Sequence, residues 1–123
     1  MGKKILYIED NPDNRMLIQR VLGIEGYDVV DADCGKAGIV KAGEEQPDLI
    51  LMDINLPDID GYEATKEIRK LPGLDKVPIL AMTANVLKGD REKSLIAGCN
   101  GYIGKPIDID LLPEQIAEYL NED

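Results

Sequence analysis

Apolar residues recur along the chain with two alternating periods. Unbroken runs of four apolar residues occur at residues 5–8, 49–52 and 79–82, and a polar residue follows each run. A run of this length without a polar interruption is typical of a strand buried on both faces of a parallel sheet. Between these runs, apolar residues return at the helical spacing, as they do in residues 17–24. The pattern therefore predicts strands that alternate with helices.

Two further strands are predicted, and both are more polar than the three apolar runs. Residues 27–33 contain three aspartates, and the short run at 102–104 is followed by Lys105. Polar strands belong at the edges of a sheet. Five strands that alternate with helices predict an α/β, doubly wound, flavodoxin-like three-layer sandwich. Its parallel sheet has the order 2-1-3-4-5, and we expect residues 1–123 to form one domain.

The first two predicted helices follow the first two strands. The first helix has Asp13 as its candidate N-cap and ends at Gly26. Its predicted inner face is Leu17, Val21 and Ile24, with Ile18 and Leu22 beside them. The second helix covers residues 35–45 and has a weak apolar stripe at Ala37 and Val40.

The remaining three helices differ in polarity. Asp60 and Glu63 have the spacing of a capping box at the start of the third helix, and Asp110 is the candidate N-cap of the last helix. The apolar stripes of these two helices are Ala64, Ile68 and Leu71, and Leu112, Ile116 and Leu120. The fourth helix, within residues 86–97, is mostly polar, and we expect it to be the least firmly packed.

Composition and charge exclude several classes of protein. The 123 residues are 44% hydrophobic, and no apolar stretch approaches the roughly 20 residues that span a membrane. The first strand begins almost at the amino terminus and leaves no room for a signal peptide, so we expect a cytoplasmic location without membrane insertion. A net charge of −10 argues against direct nucleic-acid binding. Cys34 and Cys99 lack paired spacing and the chain has no His, so both are expected to be reduced thiols.

Polar side chains stand at the carboxyl ends of four predicted strands. Glu9 and Asp10 follow the first strand, Asp53 the third, Thr83 the fourth and Lys105 the fifth. The carboxyl ends of parallel strands share one edge of the sheet, and ligands of doubly wound sheets bind there. The predicted order places the topological switch point between strands one and three. The carboxylates are therefore expected to meet at that point.

Three neighbouring carboxylates require a cation or a raised pKa. At about 5 Å and an effective dielectric of about 20, each like-charged pair costs roughly 3 kcal/mol. Ligands that offer only oxygen favour a hard ion, and Mg²⁺ is the natural choice where a phosphate shares it. A carboxylate nucleophile with a metal, an ammonium and a hydroxyl predicts a phosphoryl-transfer site with Asp53 as the nucleophile. Each residue alone has an ordinary structural explanation, and only their joint placement favours a site.

The motifs that carry these residues resemble those of the receiver domains of two-component response regulators. The matching motifs are EDN at residues 9–11, MDINLP at 52–57 with Asp60-Gly61, MTA at 82–84 and YIGKP at 102–106. Their order and spacing span almost the whole chain. The chain is most similar to the stand-alone, single-domain kind, like the chemotaxis regulators.

The resemblance implies a role for each matching site residue. Asp53 would accept a phosphoryl group from a histidine kinase or a histidine phosphotransfer protein. Asp10, Asp53 and the backbone carbonyl of Asn55 would ligate Mg²⁺, and Glu9 would assist through water. Lys105 would contact the phosphoryl group. Its peptide bond to Pro106 is expected to be cis, which only an X-Pro bond adopts cheaply.

The resemblance also implies a conformational switch. The hydroxyl of Thr83 would move toward the phosphoryl group, and the side chain of Tyr102, which spacing alone assigns to packing, would follow. The surface of helix four, strand five and helix five would then change and control an unknown protein partner. Asn55 and Asn85 would tune dephosphorylation. Such a protein catalyses only its own phosphorylation and dephosphorylation, so it is not expected to be an enzyme in the usual sense.

Three other functions remain compatible with parts of the pattern. An aspartyl-phosphate phosphohydrolase is disfavoured because Asn55 stands where that class has a second aspartate. A flavin-binding domain is disfavoured because no loop is rich in Ser, Thr and Gly. An unphosphorylated docking module would not need every site residue that is present.

Overall fold

A five-stranded parallel sheet forms the centre of the fold. The computed structural model describes residues 2–84, 92, 93, 95 and 97–120. The strands are β1 (Lys4–Ile8), β2 (Asp28–Ala32), β3 (Leu49–Asp53), β4 (Ile79–Thr83) and β5 (Gly101–Gly104). Their spatial order is β2-β1-β3-β4-β5. This confirms the predicted order, with the two polar strands at the edges.

Four helices lie in the described part of the chain. They are α1 (Pro12–Ile24), α2 (Gly35–Glu45), α3 (Gly61–Arg69) and α4 (Leu112–Leu120). The helix labelled α4 is the last of the five predicted helices. The helix predicted within residues 86–97 falls mostly outside the described residues. The others occur where the sequence predicted them, and α2 has the predicted bounds.

The sheet separates two hydrophobic cores. Alternate residues of each central strand point to opposite faces. Leu6, Ile8, Ile50 and Met52 pack on the side of α2 and α3. The neighbours of these residues along β1 and β3 are Ile5, Tyr7, Leu49 and Leu51, and they belong to the other core. That core also contains apolar residues of α1 and α4. Burial on both faces explains why the central strands have no polar interruption.

The predicted inner faces of the first two helices are partly wrong. In α1 the buried residues are Ile18 and Leu22, whereas Leu17 is exposed and Ile24 is 84% exposed. In α2 Val40 is 59% exposed. The buried face of that helix is made of small residues, Gly35, Gly38 and Ala42.

The glycine at position 38 explains why α2 lacks a normal apolar stripe. A Cβ atom at Gly38 would lie 2.5 Å from Cδ1 of Ile8 on β1. The helix therefore approaches the sheet more closely than any larger side chain allows. Sequence periodicity counts large apolar residues and misses a contact of this kind.

Two of the three predicted N-caps are also wrong. Asn11, and not Asp13, caps α1, because its Oδ1 accepts the backbone N–H groups of residues 13 and 14. Before α4, the carboxylate of Asp108, and not that of Asp110, accepts the N–H of residues 110 and 111. Asp60 caps α3 as predicted and accepts the N–H of Glu63 at 2.8 Å. In each corrected case the acceptor lies two residues earlier in the chain.

Candidate functional site

The strand register brings the predicted polar residues to one edge of the sheet. Ile8 pairs with Met52, so Glu9 and Asp53 follow neighbouring positions on β1 and β3. Thr83, the last residue of β4, pairs with Gly104, and the N–H of Lys105 bonds to the Thr83 carbonyl at 2.8 Å. Glu9, Asp53, Thr83 and Lys105 therefore lie at the carboxyl edge of adjacent strands. This is the edge at which doubly wound sheets bind ligands.

Three carboxylates form a cluster at this edge. Glu9, Asp10 and Asp53 each offer a carboxylate oxygen, and these atoms lie within 4.8 Å of one another. Glu9 and Asp53 are each 2% exposed, whereas Asp10 is exposed at the rim. Only oxygen donors converge here, and their negative charges repel unless a cation lies between them. The donor set fits a hard divalent cation such as Mg²⁺.

Lys105 supplies the positive charge of the site. Its Nζ lies 3.1 Å from Oδ1 of Asp53 and 3.4 Å from Oε1 of Glu9. The peptide bond between Lys105 and Pro106 is cis. The ammonium group thus neutralises part of the cluster and lies beside the carboxylate predicted to be the nucleophile.

Burial and the charges of the neighbours shift the pKa values of the two inner carboxyl groups in opposite directions. Burial raises the pKa of Asp53, and the hydrogen bond with Glu9 raises it further. Burial also opposes ionisation of Glu9, but hydrogen bonds with Asp53 and Asp10 and the charge of Lys105 outweigh it and lower that pKa. The metal-free site thus favours a proton on Asp53 over one on Glu9.

The loop after Asp53 folds back on the end of β3. The N–H of Asn55 donates to Oδ1 of Asp53 at 3.1 Å, and the N–H of Gly61 donates to the carbonyl of Ile54 at 2.9 Å. A Cβ atom at Gly61 would lie 2.4 Å from the carbonyl oxygen of Asp53. Only glycine therefore allows the start of α3 to approach the end of β3 this closely.

The remaining predicted residues are distributed unevenly. Thr83 is buried at the same edge as Asp53. Tyr102 lies on the edge strand β5, opposite Ala81, and is 37% exposed. Asn85 lies outside the described residues. Glu9, Asp10, Asp53 and Lys105 therefore form one cluster, and Thr83 lies at the same edge of the sheet.

A family model described as response regulator receiver domain matches residues 5–117. The chain belongs to this family. Receiver domains are switches of two-component signalling and not enzymes in the usual sense. Among the described residues, no helix has the length and apolar character needed to cross a bilayer.

Relatives of this receiver domain span its full length. The polar-differentiation response regulator DivK of Brucella abortus (strain S19) is 38% identical over 122 residues, which are 99% of each chain. The receiver domain of the sensor histidine kinase PA1611 from Pseudomonas aeruginosa PAO1 is 41% identical, with a TM-score of 0.90 over 99% of this chain and 100% of that one. In that structure a magnesium ion is coordinated in the active site cleft. The chemotaxis protein CheY4 of Vibrio cholerae has a TM-score of 0.93 at 25% identity and covers 97% of this chain and 99% of its own.

One residue of this receiver domain that contacts the acidic cluster was missed in the sequence. The hydroxyl of Tyr7, a fully buried residue of β1, donates to Oε1 of Glu9 at 3.1 Å. The sequence pattern had assigned Tyr7 only to an apolar run. Tyr7 and Glu9 are two residues apart and share one face of the strand, which was an available signal.

Asp58 lies in the turn after β3, and its side chain does more than form that turn. Its two carboxylate oxygens accept the N–H groups of Gly35 and Lys36, each at 2.8 Å. The loop after Asp53 is thereby tied to the start of α2. The N-cap residue Cys34 offers only its sulfur, 3.5 Å from the N–H of Ala37. Cysteine is a poor N-cap, so the first N–H groups of α2 need an acceptor from another segment. The cysteine at this position was therefore an available sequence signal.

Proposed function

We propose that this protein is a phosphorylation-dependent switch in which Asp53 accepts a phosphoryl group from a phosphohistidine donor. The donor is a histidine kinase or a histidine phosphotransfer protein, and residues 1–123 form one receiver domain that acts in the cytoplasm. The observation that carries the proposal is the position of Asp53, a 2% exposed carboxylate 3.1 Å from the ammonium of Lys105 and within the acidic cluster.

Each residue of the cluster has a distinct task in the transfer. A carboxylate oxygen of Asp53 forms a bond to phosphorus while the bond from phosphorus to the donor histidine nitrogen breaks. Asp10, Asp53 and the backbone carbonyl of Asn55 would hold Mg²⁺, and Glu9 would assist through water. Mg²⁺ bound there offsets the charge of the carboxylates and of the transferred oxygens. Lys105 lies where its ammonium group can contact those oxygens.

The phosphorylated state is passed on through protein contact. Thr83 reorients its hydroxyl toward the phosphoryl group, and Tyr102 on β5 follows. The surface that includes β5 and α4 then binds its partner protein differently. Asn55 and Asn85 tune the rate at which water removes the phosphoryl group. The protein's catalysis is limited to its own phosphorylation and dephosphorylation.

The test is phosphorylation by acetyl phosphate in the presence and absence of Mg²⁺, read as the intact mass of the protein. Wild type should gain the mass of one phosphoryl group only with Mg²⁺, and Asp53→Asn should gain none. Asp33→Asn, which removes an exposed carboxylate outside the cluster, is the matched control and should behave like wild type. A wild type that binds Mg²⁺ by calorimetry yet incorporates nothing would instead favour an unphosphorylated docking module. Turnover of a small phosphate ester, which is not a phosphoryl donor in this test, far in excess of protein would favour a phosphohydrolase.

A further inference from the structure

A tyrosine hydroxyl reaches the acidic cluster from inside the protein. The ring of Tyr7 is fully buried in the core that contains residues of α1 and α4, where it packs among Ile18, Leu22 and Leu51. Its hydroxyl lies 3.1 Å from Oε1 of Glu9. A buried tyrosine hydroxyl usually finds a polar partner. Here that partner is a carboxylate of the proposed metal site.

The backbone fixes the direction of this contact. The N–H of Glu9 bonds to the carbonyl of Ala32 at 3.0 Å, so the hydrogen-bond ladder between β1 and β2 continues one residue past the end of β1. Residues two apart on an extended chain point to the same face. The side chains of Tyr7 and Glu9 are therefore neighbours because of the strand itself.

Among the described residues, four groups donate hydrogen bonds to the Glu9 carboxylate, and they differ in how closely the protein packs around them. Oε1 accepts from the Tyr7 hydroxyl, from Nδ2 of Asn14 at 3.4 Å and from Nζ of Lys105 at 3.4 Å. Oε2 accepts from the N–H of Asn11 at 3.3 Å. Asn14 is half-buried, and Lys105 also contacts Asp53. Tyr7 makes the shortest of the four contacts, and its side chain alone among these donors is packed on all sides by the core.

We propose that Tyr7 is a positioning residue of the metal site, whose hydroxyl holds the Glu9 carboxylate in the orientation that serves a cation bound by Asp10 and Asp53. This inference rests on the proposed function, because it assigns Glu9 to a Mg²⁺ site. Removing a group that orients a carboxylate of a metal site typically weakens metal binding by about 10- to 100-fold. Without the hydroxyl, the carboxylate turns toward Lys105 and away from the cation.

The test compares the Mg²⁺ affinity of Tyr7→Phe with that of wild type by calorimetry. Tyr7→Phe keeps the ring in the core and should weaken Mg²⁺ binding about 10-fold. Tyr119→Phe removes a hydroxyl from a partly buried tyrosine of α4 that packs against the same core, and it should leave the affinity unchanged. Thermal unfolding without metal reports separately on the stability of each variant.

A double-mutant cycle separates positioning from a general loss of structure. If Tyr7 acts through Glu9, Tyr7→Phe should change Mg²⁺ affinity by less than twofold in a Glu9→Gln background. A merely structural effect would weaken binding equally in both backgrounds. Mg²⁺ should also perturb the ultraviolet absorption of a buried tyrosine in wild type, and this signal should disappear in Tyr7→Phe.

The outcomes distinguish failure of this inference from failure of the proposed function. Wild type that binds Mg²⁺ and a folded Tyr7→Phe that binds within twofold of it, or more tightly, would overturn the role of Tyr7 and leave the metal site intact. Wild type that binds no Mg²⁺ would overturn both. If Tyr7→Phe does not fold, the wild-type protein alone provides the test. Saturation of wild type with Mg²⁺ without any change in its tyrosine absorption would contradict a role of Tyr7 at the metal site.

Discussion

Replacing Arg69 with alanine should remove much of the protein's stability. Arg69 is the last residue of α3, and its guanidinium group is half-buried. It donates to the carbonyls of Gly98, Leu74 and Val77 and to Oδ1 of Asn100. These acceptors lie in the segments that lead into β4 and β5. One side chain thus links α3 to the two strands that deliver Thr83 and Lys105.

The magnitude follows from the number of acceptors. Each hydrogen bond contributes about 1 kcal/mol net, so four acceptors contribute about 4 kcal/mol. Freeing the rotamers of a long side chain returns about 1 kcal/mol. Arg69→Ala should therefore lower the free energy of unfolding by about 3 kcal/mol, which for a domain of this size lowers Tm by about 10 °C. Lysine cannot reproduce the fork of donors, so Arg69→Lys should recover only a small part of the loss.

The assay is urea unfolding followed by circular dichroism, with Arg20→Ala as the matched control. Arg20 is an exposed residue of α1, and its replacement should change the free energy of unfolding by less than about 0.5 kcal/mol. A loss below about 1 kcal/mol for Arg69→Ala, at an unchanged slope against urea, would refute the reasoning. It would mean that water replaces the guanidinium group at these carbonyls without cost.

Three further predictions concern the site and the helix beside it. Because burial raises the pKa of Asp53, the metal-free folded state binds a proton there more readily than the unfolded chain. The stability that Asp53 contributes should be fully present below its unfolded pKa and lost as pH rises through the raised pKa, and Asp53→Asn should remove this part of the pH profile of urea unfolding. Asp58→Ala should cost about 1 to 2 kcal/mol in the same assay because α2 loses its cap, and an equal loss in Asp33→Ala would contradict that cause. Gly38→Ala should destabilise by about 1 to 3 kcal/mol through the clash with β1. Gly43→Ala in the same helix, where the nearest atom is 3.7 Å away, should be neutral or stabilising by up to about 1 kcal/mol.

The sequence predicted the parts of this protein that depend on one repeating pattern. The strands at residues 5–8, 49–52 and 79–82 are fully buried, and full burial on both faces leaves an unbroken apolar run. The strand order followed from the polarity of the strands, because only the two outer strands of a sheet, here β2 and β5, can carry exposed polar residues. Once the order was known, the meeting of Glu9, Asp53 and Lys105 followed from parallel geometry alone.

The features that the sequence did not predict depend on contacts between distant segments. Asp58 caps a helix 22 residues earlier in the chain, and no local spacing records that pairing. Gly38 is buried because Ile8 lies above it, a fact of packing and not of hydrophobicity. Tyr7 was counted as an apolar residue of its strand, and this count ignored its hydroxyl group. Each miss concerns a residue whose partner, and not its own type, decides its role.

The charges of the site explain why phosphorylation should require a cation. Three carboxylates and one ammonium leave the cluster with a net charge of −2 in a largely buried place. A phosphoryl group on Asp53 removes one carboxylate charge and adds about −2, so the charge would grow to about −3. Each added like-charged pair at about 5 Å costs on the order of 3 kcal/mol at an effective dielectric of 20. Lys105 alone cannot offset this cost, whereas a divalent cation among Glu9, Asp10 and Asp53 leaves about −1. The same fold that brings the carboxylates together should therefore make the proposed phosphorylated state depend on a divalent cation.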